Sequence, residues 1–123
     1  MQITLYGVPV TKKNHAQIVE AGGKRRLIQS QAYRSYEMDC LWQITGKMRQ
    51  RIAEPVTVKC VYYMPTRRKV DLINLLAATH DILVKGEVLA DDNSLIIQSV
   101  DGSRVAYDKD SPRVEIEITA FDP

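Results

Sequence analysis

The run VTVKCVYYMPTRRKVDLINLLAATHDILVKGEVLADDNSLIIQSV, residues 56–100, constrains the fold most, because it carries a strand, a helix and a further strand with their boundaries. Residues 56–65 are rich in β-branched and aromatic side chains and close at Pro65, the composition of a buried strand. Asp71 then offers a side-chain acceptor to the free N–H groups of a first helical turn. Leu72, Leu75, Leu76, Thr79, Ile82 and Leu83 follow as an apolar stripe at helical spacing. Lys85 puts a cation in the last turn and Gly86 stands just past it. The pattern predicts a capped helix that runs antiparallel to the strands on either side of it.

The remaining segments complete an α+β reading. Residues 2–8 alternate Ile3 and Leu5 against Gln2, Thr4 and Tyr6, the period of a strand. Gly22 and Gly23, followed by Lys24, Arg25 and Arg26, predict the tip of a hairpin that returns through RLIQS. From an N-cap at Ser30, the residues Tyr33, Tyr36, Cys40, Leu41, Ile44, Met48 and Ile52 share one face, which predicts a long helix over 31–52. LIIQSV (95–100) and RVEIEITAF (113–121) read as strands, and residues 101–113 between them as a turn-rich, irregular hairpin. The expected fold is a single domain over residues 1–123, with a mixed β-sheet and two main helices.

Charge and cysteine usage narrow the function class. A net charge of +2 does not by itself announce nucleic-acid binding, but its distribution is uneven. Cations gather at Lys12 and Lys13, at residues 24–26 and at Arg67, Arg68 and Lys69, whereas four aspartates lie between 71 and 92. This is either a basic rim around an acidic spot or a set of solvated loops. Cys40 and Cys60 fall inside a predicted helix and strand without metal-ligand spacing, and His15 and His80 are far apart, which argues against zinc. The absence of a charged leader and of a long apolar run leads to the expectation of a soluble, cytoplasmic protein with reduced thiols.

Chain lengths bear on the aspartates. Fourteen helical residues from Asp71 descend about 20 Å, and six extended residues from Gly86 regain roughly as much. Asp91 and Asp92 would then return to the level of Asp71, with one of the adjacent pair pointing inward. The spacing permits a carboxylate cluster, while ADDNS is equally an ordinary turn.

The run RRKVDLINLLAATHDILVKGEVLADDNSL resembles the signature of the RusA-type Holliday junction resolvases: a basic loop, Asp-x-Asp-Asn, a helix with a lysine and a later aspartate, a glycine-valine region and an Asp-Asp pair. GVPVTKKNH resembles that family's N-terminal element, and QAYRSYE the opening of its first long helix. The resemblance implies a RusA-like fold and a Mg²⁺-dependent endodeoxyribonuclease that resolves four-way DNA junctions by paired cuts as a homodimer. It assigns Asp71 and Asp92 to catalysis and metal binding, with Asp91 beside them and Asn74 and Asp81 in support. Arg67, Arg68 and Lys69, together with Lys13 and Asn14, would contact DNA.

Two positions depart from the pattern: Ile73 replaces an aspartate and Ala77 a lysine. They motivate a second expectation, a catalytically weakened or inactive module that binds branched DNA. Ile73, Ala77, His80 and Val84 share one side of the helix, a largely apolar face expected to pack in the core or against a second subunit. The other reading of His80 is a substitute ligand or base.

Overall fold

The computed structural model describes residues 1–12, 17–28 and 30–122. Its elements in chain order are β1 (Gln2–Tyr6), β2 (Gln17–Ala21), β3 (Lys24–Ile28), α1 (Gln31–Gln43), β4 (Val56–Met64), α2 (Leu72–Lys85), β5 (Ile97–Ser99), β6 (Arg104–Tyr107) and β7 (Arg113–Ala120). A short 3₁₀ turn at Gly46–Met48 follows α1. The architecture is α+β. One mixed sheet runs β1, β7, β4 with antiparallel pairing, and β5 and β6 both add to β4 in parallel.

Strand alternation divides this sheet into an apolar and a polar face. Ile3, Ile116 and Cys60 are in register across three strands, as are Leu5, Val114 and Tyr62, and all six are buried. The intervening residues Thr4, Lys59, Glu115 and Glu117 turn to the other side. On that side the Arg113 guanidinium lies 4.0 Å from the centroid of the Tyr63 ring and is paired with Asp108 and Glu115.

Both helices contribute to one apolar cluster with the sheet. α2 buries Leu75, Leu76, Ala78, Thr79, Ile82 and Leu83, close to the predicted stripe. The Tyr62 hydroxyl and Thr79 Oγ1 lie 2.7 Å apart in a buried hydrogen bond that ties α2 to β4. α1 starts where expected, with Ser30 Oγ accepting from the Tyr33 N–H, and buries Tyr33, Tyr36 and Cys40. The β2–β3 hairpin forms a separate two-stranded sheet whose two-residue turn places Gly22 and Gly23 at positive φ, the conformation such a tight turn requires.

Two elements differ from expectation. The helix predicted over 31–52 ends at Gln43, because Ile44 is extended and turns its side chain into the core against Gly86. A Cβ at position 86 would sit 2.6 Å from Ile44 Cδ1, so the bare glycine is what lets the end of α1 close on the end of α2. The chain then swings through Arg51, at positive φ, to bridge Ile52 with Leu89. Residues 101–113 do not close a hairpin. Arg104–Tyr107 instead pair in parallel with Val61–Met64, an edge position whose mostly exposed side chains left no alternation to detect.

Candidate acidic site and nucleic-acid interface

Asp71 caps α2 as its side-chain chemistry predicts. Its Oδ1 accepts from the N–H groups of Ile73 (3.0 Å) and Asn74 (3.3 Å), and its Oδ2 from Asn74 Nδ2 (3.1 Å). The carboxylate and Asn74 line an open cleft with Lys69 and the Pro9–Thr11 segment.

Asp81 lies ten residues further along α2, about 15 Å down its axis. It forms an ion pair with Lys12, which follows the segment that lines the Asp71 cleft. The Lys12 ammonium also lies 5.5 Å from the centroid of the Tyr33 ring. Burial and the nearby Lys85 hold the Lys12 pKa below the usual lysine range, against the opposing pull of Glu37 and Asp92. Lys85 itself is held by Glu37 at 3.0 Å.

Asp91 and Asp92 do not end an extended climb. The N–H groups of Val88 (2.9 Å) and Leu89 (3.3 Å) both donate to the Leu83 carbonyl, so the chain folds back over the last turn of α2. In the turn that follows, Asp91 Oδ1 accepts from the Asp92 N–H (2.7 Å) and Asp91 Oδ2 from Asn93 Nδ2 (3.2 Å), and Asn93 Oδ1 accepts from the Leu95 N–H two residues on (2.9 Å), an Asx turn. Asp92 is exposed and lines a cleft with His80, Ser94 and Asp101. Burial lowers the His80 pKa, the Asp92 charge opposes this, and Nε2 is buried with no hydrogen-bond partner among the described residues.

The structure therefore brings Asp92 to His80, within electrostatic reach of Lys12, while Asp71 and Asn74 line a different cleft. Among the described residues no group of three or more His, Cys, Asp or Glu side chains could hold a metal ion. Of the helix face that was expected to pack in the core or against a second subunit, Val84 packs against the core and His80 is partly covered, whereas Ile73 is 69% exposed and Ala77 is exposed and neither joins the core of this chain.

Arg67, Arg68 and Lys69 are exposed in the loop between β4 and α2. None of the ion pairs among the described residues neutralises them. Lys13 and Asn14, with His15, lie outside the described residues. Two participants escaped the reading of the residues. Lys12 was one cation in a basic cluster rather than the partner of Asp81. Tyr107, whose ring centroid is 4.5 Å from the Arg67 guanidinium, sat in a segment with no periodic signal.

No curated protein matches the chain. A family model described as Endodeoxyribonuclease RusA matches residues 7–119. The chain belongs to this family. The match runs from the end of β1 almost to the end of β7, so the Asp71 cap, the Asp91-Asp92 turn, the basic loop and β6 all fall inside a RusA nuclease domain. No helix among the described residues is long and apolar enough to cross a membrane.

Proposed function

We propose that this RusA-family protein is a Mg²⁺-dependent endodeoxyribonuclease that cuts four-way DNA junctions in paired, symmetric fashion as a homodimer, serving DNA recombination and repair in the cytoplasm. The observation that carries the reading is Asp92, an exposed carboxylate that accepts no hydrogen bond among the described residues and lines an open cleft within a nuclease-family domain. Its lone pairs are available to a cation.

An oxygen-only, sparse donor set fits Mg²⁺, which commonly keeps several waters and takes one or two protein carboxylates together with substrate phosphate. The family signature assigns the ion to Asp92 and Asp71; the two line different clefts, so holding one ion between them would require those clefts to close on bound substrate. When bound, the ion would polarise a phosphoryl oxygen and acidify a water. Asp91 orients the turn that presents Asp92 by accepting its N–H, and Asn74 steadies the Asp71 carboxylate. Asp81 holds Lys12, whose ammonium is under the influence of Asp92. Arg67, Arg68 and Lys69, with Lys13 and Asn14, would grip phosphates, so binding would weaken with salt and follow DNA shape more than sequence. Paired cuts on a two-fold symmetric substrate call for a two-fold dimer.

A second reading has its own support. Exposed Ile73 and Ala77 leave an apolar surface where the family signature carries an aspartate and a lysine. This favours a weakened enzyme, or a module that binds branched DNA without cutting it.

A labelled four-way junction incubated with the protein and Mg²⁺, alongside Asp92→Asn and a chelator control, tests both readings. Cutting that is lost in both controls supports the nuclease. Tight binding without cutting in any divalent metal supports the module, and in that case Ile73→Asp with Ala77→Lys should introduce cleavage. Absence of both binding and cutting would overturn the DNA reading.

A further inference from the structure

We propose that Tyr107, with Arg67 against its ring, is a stacking platform for a DNA base unstacked at a branch point; the inference rests on the junction reading above and names how that substrate is told from continuous duplex. The geometry comes from β6. Its register pairs Met64 with Tyr107 and Tyr62 with Val105, and the Asp108 N–H donates to the Met64 carbonyl (2.9 Å). Residue 107 is thereby set beside the bend at Pro65 and Thr66 that opens the basic loop.

Alternation then fixes the side. Residues in register across parallel strands project the same way, so Val105 and Tyr107 share the face of Tyr62, which carries α2. Tyr62 is fully buried there, but Val105 and Tyr107 are 40% and 41% exposed. They form one wall of a small cleft of about 240 Å³, and Thr66, Arg67 and Arg68 form the other. An aromatic face, a β-branched side chain and cations thus meet on one open surface.

A second arginine–tyrosine contact in the same molecule is the control for a purely structural role. Arg113 over Tyr63 is neutralised by two carboxylates, Asp108 and Glu115, and so completes its own electrostatic requirements within the fold. Arg67 has no carboxylate partner among the described residues, and neither do the exposed Arg68 and Lys69 that follow it. The charge left over suits phosphate, and the ring suits a base. In continuous duplex every base is covered by its neighbours and offers no free face. At a branch the stack is interrupted and a base can be received by Tyr107, whichever base it is, while Arg68 and Lys69 track the adjoining backbone.

The test compares the wild type with Tyr107→Ala and Tyr107→Phe in chelator, where no cutting occurs, on a four-way junction and on a duplex of the same sequence. The junction carries 2-aminopurine either at the branch or within an arm. Tyr107→Ala should weaken junction binding about 5- to 150-fold, leave duplex binding unchanged and abolish the fluorescence change at the branch. Tyr107→Phe, which keeps the π-face, should behave as wild type on every measure. Equal losses on junction and duplex, no loss in Tyr107→Ala, or Tyr107→Phe as weak as alanine would each overturn the platform. A wild type that binds the junction no better than the duplex would instead overturn the junction reading, and the platform with it. Matching melting temperatures among the three proteins exclude misfolding as the source of any difference.

Discussion

Asp71 carries two assignments, helix cap and metal ligand, and a pair of substitutions separates them. The structure sets the size of the cap: one carboxylate serves the N–H groups of Ile73 and Asn74 and the Asn74 amide. All three donors are close to solvent, so water takes up much of what an alanine would abandon. The cost of Asp71→Ala is therefore about 1 kcal/mol for the cap and about 0.5 kcal/mol for the lost charge at the positive end of the helix. For a chain of this size that lowers the melting temperature by about 4–8 °C. Asp71→Asn keeps an acceptor oxygen and loses only the charge, so its shift is about 2 °C. Catalysis divides the variants differently. Both lack the carboxylate, so if Asp71 holds the ion both lose more than about 100-fold in single-turnover junction cleavage. Thermal denaturation and cleavage measured on the same preparations decide the matter. An alanine variant with unchanged melting temperature would refute the capping argument, and an asparagine variant that cuts like wild type would leave Asp71 a cap and nothing more.

Three further outcomes follow from the interior. Tyr62→Phe removes the 2.7 Å bond to Thr79, whose hydroxyl still donates to the Leu75 carbonyl at 3.1 Å. It should cost about 1 kcal/mol in urea unfolding, and no change would mean that the bond does not tie helix to sheet. Gly86→Ala forces a methyl to within 2.6 Å of Ile44 Cδ1 and 3.1 Å of the Ile82 carbonyl, and should cost about 1–3 kcal/mol. Gly46→Ala, in open space, is the comparison that must remain near neutral. Burial pushes the Cys40 thiol up to about 11 and the Cys60 thiol up to about 12. The folded state thus holds these protons more tightly than the unfolded chain. That stability is complete below the ordinary thiol range near 9 and is lost as pH rises through 11 and 12. Iodoacetamide at pH 8 should leave both thiols unlabelled until the protein unfolds, and melting temperature should fall on the alkaline side. Prompt labelling of the native protein would contradict the burial of these two residues.

Much of this molecule was legible from the order of its residues alone. Asp71, the apolar stripe of α2 and Gly86 define a helix from contacts three or four positions apart, and the alternation of Val114, Ile116 and Ile118 defines the buried face of β7 in the same local way. The 29-residue signature from Arg67 to Leu95 was enough to point to the nuclease family, since it is a pattern of residue types and spacings.

Tertiary structure decided what local patterns leave open. Helical periodicity continues through Ile44, Met48 and Ile52, yet α1 stops at Gln43 because Ile44 has a better place against the bare backbone of Gly86. Residues 88 and 89 have the composition of a strand but bond back to Leu83, which sets Asp92 beside His80. Tyr107 meets Arg67 only because an edge strand chose the parallel side of β4. A sequence specifies which backbone and side-chain groups must find partners. Which distant segment supplies each partner is settled when the whole chain competes for the same core and the same strand edges.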